Sequence, residues 1–226
     1  LVVVVAMGYT RQGVAIGFAM LGLVALGQRK NWLFVFWVIF GATMHKSAVV
    51  LLPLAILATP KRKVWTAMWG GVTVVVMYFV LVAGEIDNFV SNYIEAEYSS
   101  DGAAVRVAMN VLPALILIFF RQRLSLPVAE RNLWLLMALL ALACGAWLPF
   151  AASSTAVDRL ALYLIPLQMF VFSRLPQLLG RTRNPDGQQM WIPVVVVYYA
   201  LVLFVWLVFG NWSKYWIPYR SWFFVD

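Results

Sequence analysis

The feature that most constrains this chain is a succession of long apolar runs, most of them closed by a short polar or basic cluster. Gly13 to Gly27 ends at Gln28-Arg29-Lys30, and Asn31 to Thr59 ends at Pro60-Lys61-Arg62-Lys63. Val64 to Ala83 leads into a polar stretch, Glu85 to Arg106. Val107 to Phe120, Leu133 to Phe150, Leu160 to Phe172 and Trp191 to Phe209 follow, before the aromatic tail NWSKYWIPYRSWFFVD. Only helices and closed barrels satisfy their own backbone in lipid. The period-2 alternation of a barrel is absent, so each run reads as a helix. The chain is 64% hydrophobic and 12% charged, whereas an ordinary soluble domain is roughly half apolar and about a quarter charged. That excludes a soluble globular enzyme, a disordered chain and a nucleic-acid partner. The net charge of +8 is therefore read loop by loop, as topology. The lone Cys144 forms no internal disulfide, and no Cys/His cluster exists for zinc. Leu1 to Met7 is apolar but short of the roughly 20 residues that span a bilayer. The expectation is one transmembrane domain over 1–226, the C-terminal part of a longer chain, with 85–106 as an outward-facing polar loop.

Asn31 to Thr59 admits two readings: one tilted helix of about 43 Å, or two short arms broken at His45-Lys46. With the break, Arg29, Lys30, Lys61, Arg62, Lys63, Arg121, Arg123, Arg131, Arg174, Arg181 and Arg183 share one side, and Arg11, Lys46, Arg106, Arg159, Lys214 and Arg220 the other, an 11-to-6 split. A continuous helix moves nine of the 11 opposite Arg29 and Lys30 and spoils the asymmetry. The positive-inside rule favours the hairpin and makes the 11-residue side cytoplasmic. Seven of the nine acidic residues (Glu85, Asp87, Glu95, Glu97, Asp101, Asp158 and Asp226) fall on the other side, an independent check. Each arm is then roughly 21 Å, against a hydrocarbon core of about 30 Å, and its tip at His45 stops within the membrane, with Ser47 as a candidate cap.

The unusual polar residues therefore share the outer side: Arg11 and Gln12 at a helix start, His45 at the break, Asp101 and Arg106 beside the polar loop, Asp158-Arg159, and Tyr215, Tyr219 and Arg220 in the tail. Ionisable groups within or beside a span usually line a cavity. Repeated guanidinium groups in such a pocket suit phosphate, which they grip bidentately while always charged. The N–H groups at the helix start near Thr10 also favour an anion. Each residue alone has a structural explanation too. Arg11 and Arg159 could snorkel to headgroups, His45 could be a packing histidine, Asp158-Arg159 could be an ion pair or cap, and the tail could be an interfacial aromatic belt. Gly13 to Gly17 forms a GxxxG pattern, read as helix packing. Coincidence on one side is what favours a site.

GYTRQGVA (8–15) and ATMHKSAVVLLP (42–53) resemble the Arg-Gln-x-x-Ala and His-x-Ser-Ala signatures of the EpsG/Wzy-type polysaccharide polymerases. DRLALYLIP (158–166) and YWIPYR (215–220) resemble that family's downstream elements, in the same order and spacing. The fold class expected is all-α: a polytopic transmembrane helical bundle, GT-C-like, with a broken or re-entrant hairpin. The resemblance implies a multi-pass enzyme of the bacterial inner membrane that joins glycan repeat units carried on undecaprenyl diphosphate at the outer face. Lipid-linked oligosaccharide, membrane lipids and a chain-length regulator protein are the expected partners. By motif, Arg11, Gln12, Arg159 and Arg220 are assigned to the diphosphate, and Arg106, Tyr215 and Tyr219 to substrate contact. His45 is the base, with Asp101 or Asp158 as alternatives. With no Asp-x-Asp cluster in the chain, a mechanism without metal or other cofactor is expected. The competing class is a flippase or transporter for the same lipid-linked glycan, against which the lack of internal repeats counts.

Overall fold

In the computed structural model, residues 9–57, 102–151, 153–179 and 190–210 are described, with the single positions 5, 71, 72, 75 and 213. Among them every regular element is helical. The helices are α1 (Thr10–Gly27), α2 (Asn31–Met44), α3 (Leu52–Leu57), α4 (Ala103–Phe120), α5 (Val128–Trp147), α6 (Ser154–Leu162), α7 (Ile165–Ser173), α8 (Leu175–Leu179) and α9 (Trp191–Phe209). Among the described residues four helices are long and apolar enough to cross a membrane, or five if the bent pair α6–α7 is one span. The chain is thus an all-helical, multi-pass membrane protein. The expected run Val64 to Ala83 lies outside the described residues apart from positions 71, 72 and 75, and most of the polar loop lies outside them as well.

The break in the second run falls where charge counting puts it. The helix α2 ends at Met44, and His45 is extended at φ −150°, ψ 112°. The second arm differs from a plain helix: it opens as a 3-10 helix over Lys46–Leu51 and becomes α-helical at Leu52. Pro53 explains the change, because a proline without an N–H is tolerated only in the first turn of a helix. Eight residues of straight helix would carry Leu52 about 12 Å beyond Met44, yet α3 packs against α2. The arm has turned back.

A second break appears where a single run, Leu160 to Phe172, was expected. The helices α6 and α7 meet at 46°, with Pro166 in the first turn of α7. A proline inside a helix removes one hydrogen bond and pushes its ring at the carbonyl four residues back, which here is Leu162, the last residue of α6. Two other helices start earlier than their apolar runs. Helix α5 begins at Val128 after Pro127, and α4 begins at Ala103, so Arg106 is helical rather than part of the polar loop. Gly102 precedes α4 at φ +83°, a left-handed conformation that favours glycine. A Cβ there would stand 3.3 Å from the guanidinium of Arg106.

Close packing of α1 on α2 sets the site's depth. A Cβ on Gly22 would meet Phe34 at 3.2 Å, and one on Gly41 would meet the Ala15 carbonyl at 3.1 Å. Small residues let membrane helices approach this closely. Gly17 of the GxxxG pattern is not one of these contacts: a Cβ there would meet nothing within 4 Å. In this antiparallel pairing position 15 lies opposite 41 and 22 opposite 34, so one helical turn further Arg11 stands level with His45. The last helix, α9, has no buried residue, as suits a helix facing lipid. Its Tyr198 and Tyr199 pack edge-on against Phe172.

Candidate functional site

The two breaks meet. Ser47 Oγ, at the start of the second arm, lies 2.6 Å from His45 Nδ1 and donates to the Tyr163 hydroxyl at 3.1 Å. The Tyr163 hydroxyl is itself 3.5 Å from His45 Nδ1. Ser47 was expected to cap the arm, but no side-chain cap is made there and the hydroxyl serves the imidazole instead. When Ser47 donates to Tyr163, its lone pairs accept Nδ1–H, and Nε2 keeps the lone pair that a base requires.

Asp158 and Arg106 are brought together, but on each other. Arg106 Nε donates to Oδ1 at 2.6 Å and Nη2 to Oδ2 at 2.7 Å, a bidentate pair in which the carboxylate is 1% and the arginine 20% exposed. The Tyr9 hydroxyl reaches Oδ2 at 3.5 Å and its ring lies 5.8 Å from the guanidinium carbon. Burial raises the phenol of Tyr9, keeping it a hydrogen-bond donor. This arrangement ties the starts of α1, α4 and α6 together and commits the Asp158 oxygens to partners within the protein.

Gln12 is buried, and its Nε2 donates to the Arg159 carbonyl at 2.7 Å. Arg159 is half-buried in the last turn of α6, while Arg11 is exposed at the start of α1. Asp101, Tyr215, Tyr219 and Arg220 lie outside the described residues. Among the described residues no group of three or more His, Cys, Asp or Glu side chains could hold a metal ion. The residues that sequence reasoning passed over are Tyr9, Tyr163 and Asn110. Of these Tyr163 and Asn110 had a local signal, a polar group three residues before a proline within an apolar run.

Five other basic residues among the described ones sit at the far helix ends. Arg29 and Lys30 follow α1, Arg121 and Arg123 follow α4, and Arg174 follows α7, each at the end away from the breaks. Arg123 donates to the Leu178 carbonyl at 2.9 Å, and Arg174 pairs with Glu130 at 3.9 Å and lies 4.0 Å over the Phe170 ring. The helical ends that carry the site thus differ in character from the ends that carry the arginine loops.

The sequence model of the EpsG family matches residues 1–221. No curated protein and no solved structure matches the chain.

Proposed function

Because this chain belongs to the EpsG family, we propose that it is a membrane polysaccharide polymerase acting on glycan repeat units linked to undecaprenyl diphosphate, at the outer face of the bacterial cytoplasmic membrane. The observation that carries the reading is the meeting of two helix breaks, which sets the His45 imidazole on Ser47 and Tyr163, with Arg159 one helical turn before Tyr163. Glycosyl transfer from a lipid diphosphate needs those two kinds of group. An acceptor hydroxyl attacks the anomeric carbon, the bond from that carbon to the phosphate oxygen breaks, and its electron pair leaves with the diphosphate. The hydroxyl proton passes to His45 Nε2 as general base. Negative charge developing on the leaving group is met by Arg159 and by Arg11, which stands level with His45; planar guanidinium suits diphosphate better than a point charge. Arg106 and Asp158 hold the frame rather than the substrate, since each satisfies the other.

Purified protein in detergent, supplied with lipid-linked repeat units, should lengthen them with no proton or ion gradient. Translocation without extension in sealed vesicles would instead make the chain a flippase.

A further inference from the structure

The break between α6 and α7 leaves main-chain carbonyls without their helical partners, and in lipid no water replaces them. In continuous helix the Tyr163 N–H would donate to Arg159. It donates instead to Leu160 at 3.1 Å, and Leu164 N–H donates to Ala161 at 3.0 Å. The Arg159 carbonyl takes Gln12 Nε2 at 2.7 Å, from α1, and the Ala161 carbonyl takes Asn110 Nδ2 at 2.8 Å, from α4. Both amides are 2% exposed. Asn110 is held in turn: its Oδ1 accepts from Gln168 Nε2 at 2.7 Å, and Gln168 Oε1 accepts from the Tyr199 hydroxyl at 3.3 Å.

We propose that Gln12 and Asn110 are positioning residues that set where Tyr163 meets His45 and where Arg159 stands one helical turn before it: Gln12 takes the Arg159 carbonyl, from which the α6–α7 break turns the Tyr163 N–H, and Asn110 adds a side-chain donor to the Ala161 carbonyl beside the Leu164 N–H. The proposal deepens the polymerase reading and rests on it for the activity, though not for the geometry. It gives Gln12 a different task from the diphosphate contact that its motif suggested. The two carbonyls belong to Arg159 itself and to the residue two before Tyr163, so movement of either shifts the turn that carries the Tyr163 hydroxyl to His45. The chain Tyr199–Gln168–Asn110 extends the same hold to α9 and α7.

The chain has a single histidine, so the nitrogen resonances of a histidine-labelled sample report His45 alone. Gln12→Met and Asn110→Leu remove the donors at nearly matched size. Interhelical hydrogen bonds contribute little to the folding of membrane bundles, so both variants should fold and unfold near the wild-type temperature. The Nδ1 resonance should leave its hydrogen-bonded position in each, and kcat for extension should fall about 10- to 100-fold, as misplacement on the ångström scale does. An unchanged Nδ1 resonance in either folded variant overturns the proposal, and so does loss of folding in both, which would make these amides structural. If wild-type protein extends no glycan, the resonance still decides the positioning claim, and only the polymerase reading falls.

Discussion

His45→Gln should cut chain extension about 100- to 10,000-fold, the usual loss when a general base is removed, while lipid-linked substrate still binds. Glutamine retains a polar group that reaches Ser47, so the junction of the two breaks keeps its contact and only the basic lone pair is lost. The measurement is extension per folded molecule, with substrate binding followed separately. Wild-type turnover in this variant would reduce His45 to a packing residue and hand the base role to Asp101 or Asp158.

Arg106→Met should have the largest effect on stability. It leaves the Asp158 carboxylate, 1% exposed, without the cation that compensates it, and removing one partner of a buried pair costs about 3–5 kcal/mol. Replacing both, as Arg106→Met with Asp158→Leu, should recover most of that loss, since an apolar pair carries no stranded charge. Thermal unfolding in detergent measures both variants. The double variant also separates the two base candidates: if Asp158 only holds the frame, the refolded double variant retains extension well above His45→Gln. Extension as low as that of His45→Gln in a stable double variant would return Asp158 to the chemistry.

Positions of helices were legible because a bilayer demands long apolar runs with internally satisfied backbones. Trp191–Phe209 has the bounds that composition alone draws, and Asn31–Met44 has its start. The break at His45 was legible for a different reason, since the distribution of arginine and lysine over the loops is consistent only if the chain turns back there. The α6–α7 break was marked by Pro166 but hidden by the apolar residues around it, because hydropathy records what lipid tolerates and not where a helix bends. The starts of α4 and α5 were missed for a related reason: polar residues such as Arg106 and Glu130 can occupy a first helical turn without ending the helix.

Membrane character, the placement of most described helices and the polar set that includes Arg11, His45 and Arg159 were thus determined by the sequence, through the solvent it must satisfy. Pairing was decided only by the tertiary structure. Ser47 meets Tyr163 across 116 residues, Gln12 meets Arg159 across 147, and Arg106 meets Asp158 across 52. Those partnerships depend on which helices pack together and at what level. Close approaches at Gly22 and Gly41 set that level for α1 and α2, while the Arg159 and Ala161 carbonyls at the α6–α7 break take Gln12 and Asn110. A linear pattern records the chemistry each residue offers. Whether an arginine is spent on a neighbouring carboxylate, as Arg106 is, or stands one helical turn from Tyr163, as Arg159 does, follows from packing that brings distant segments to one depth.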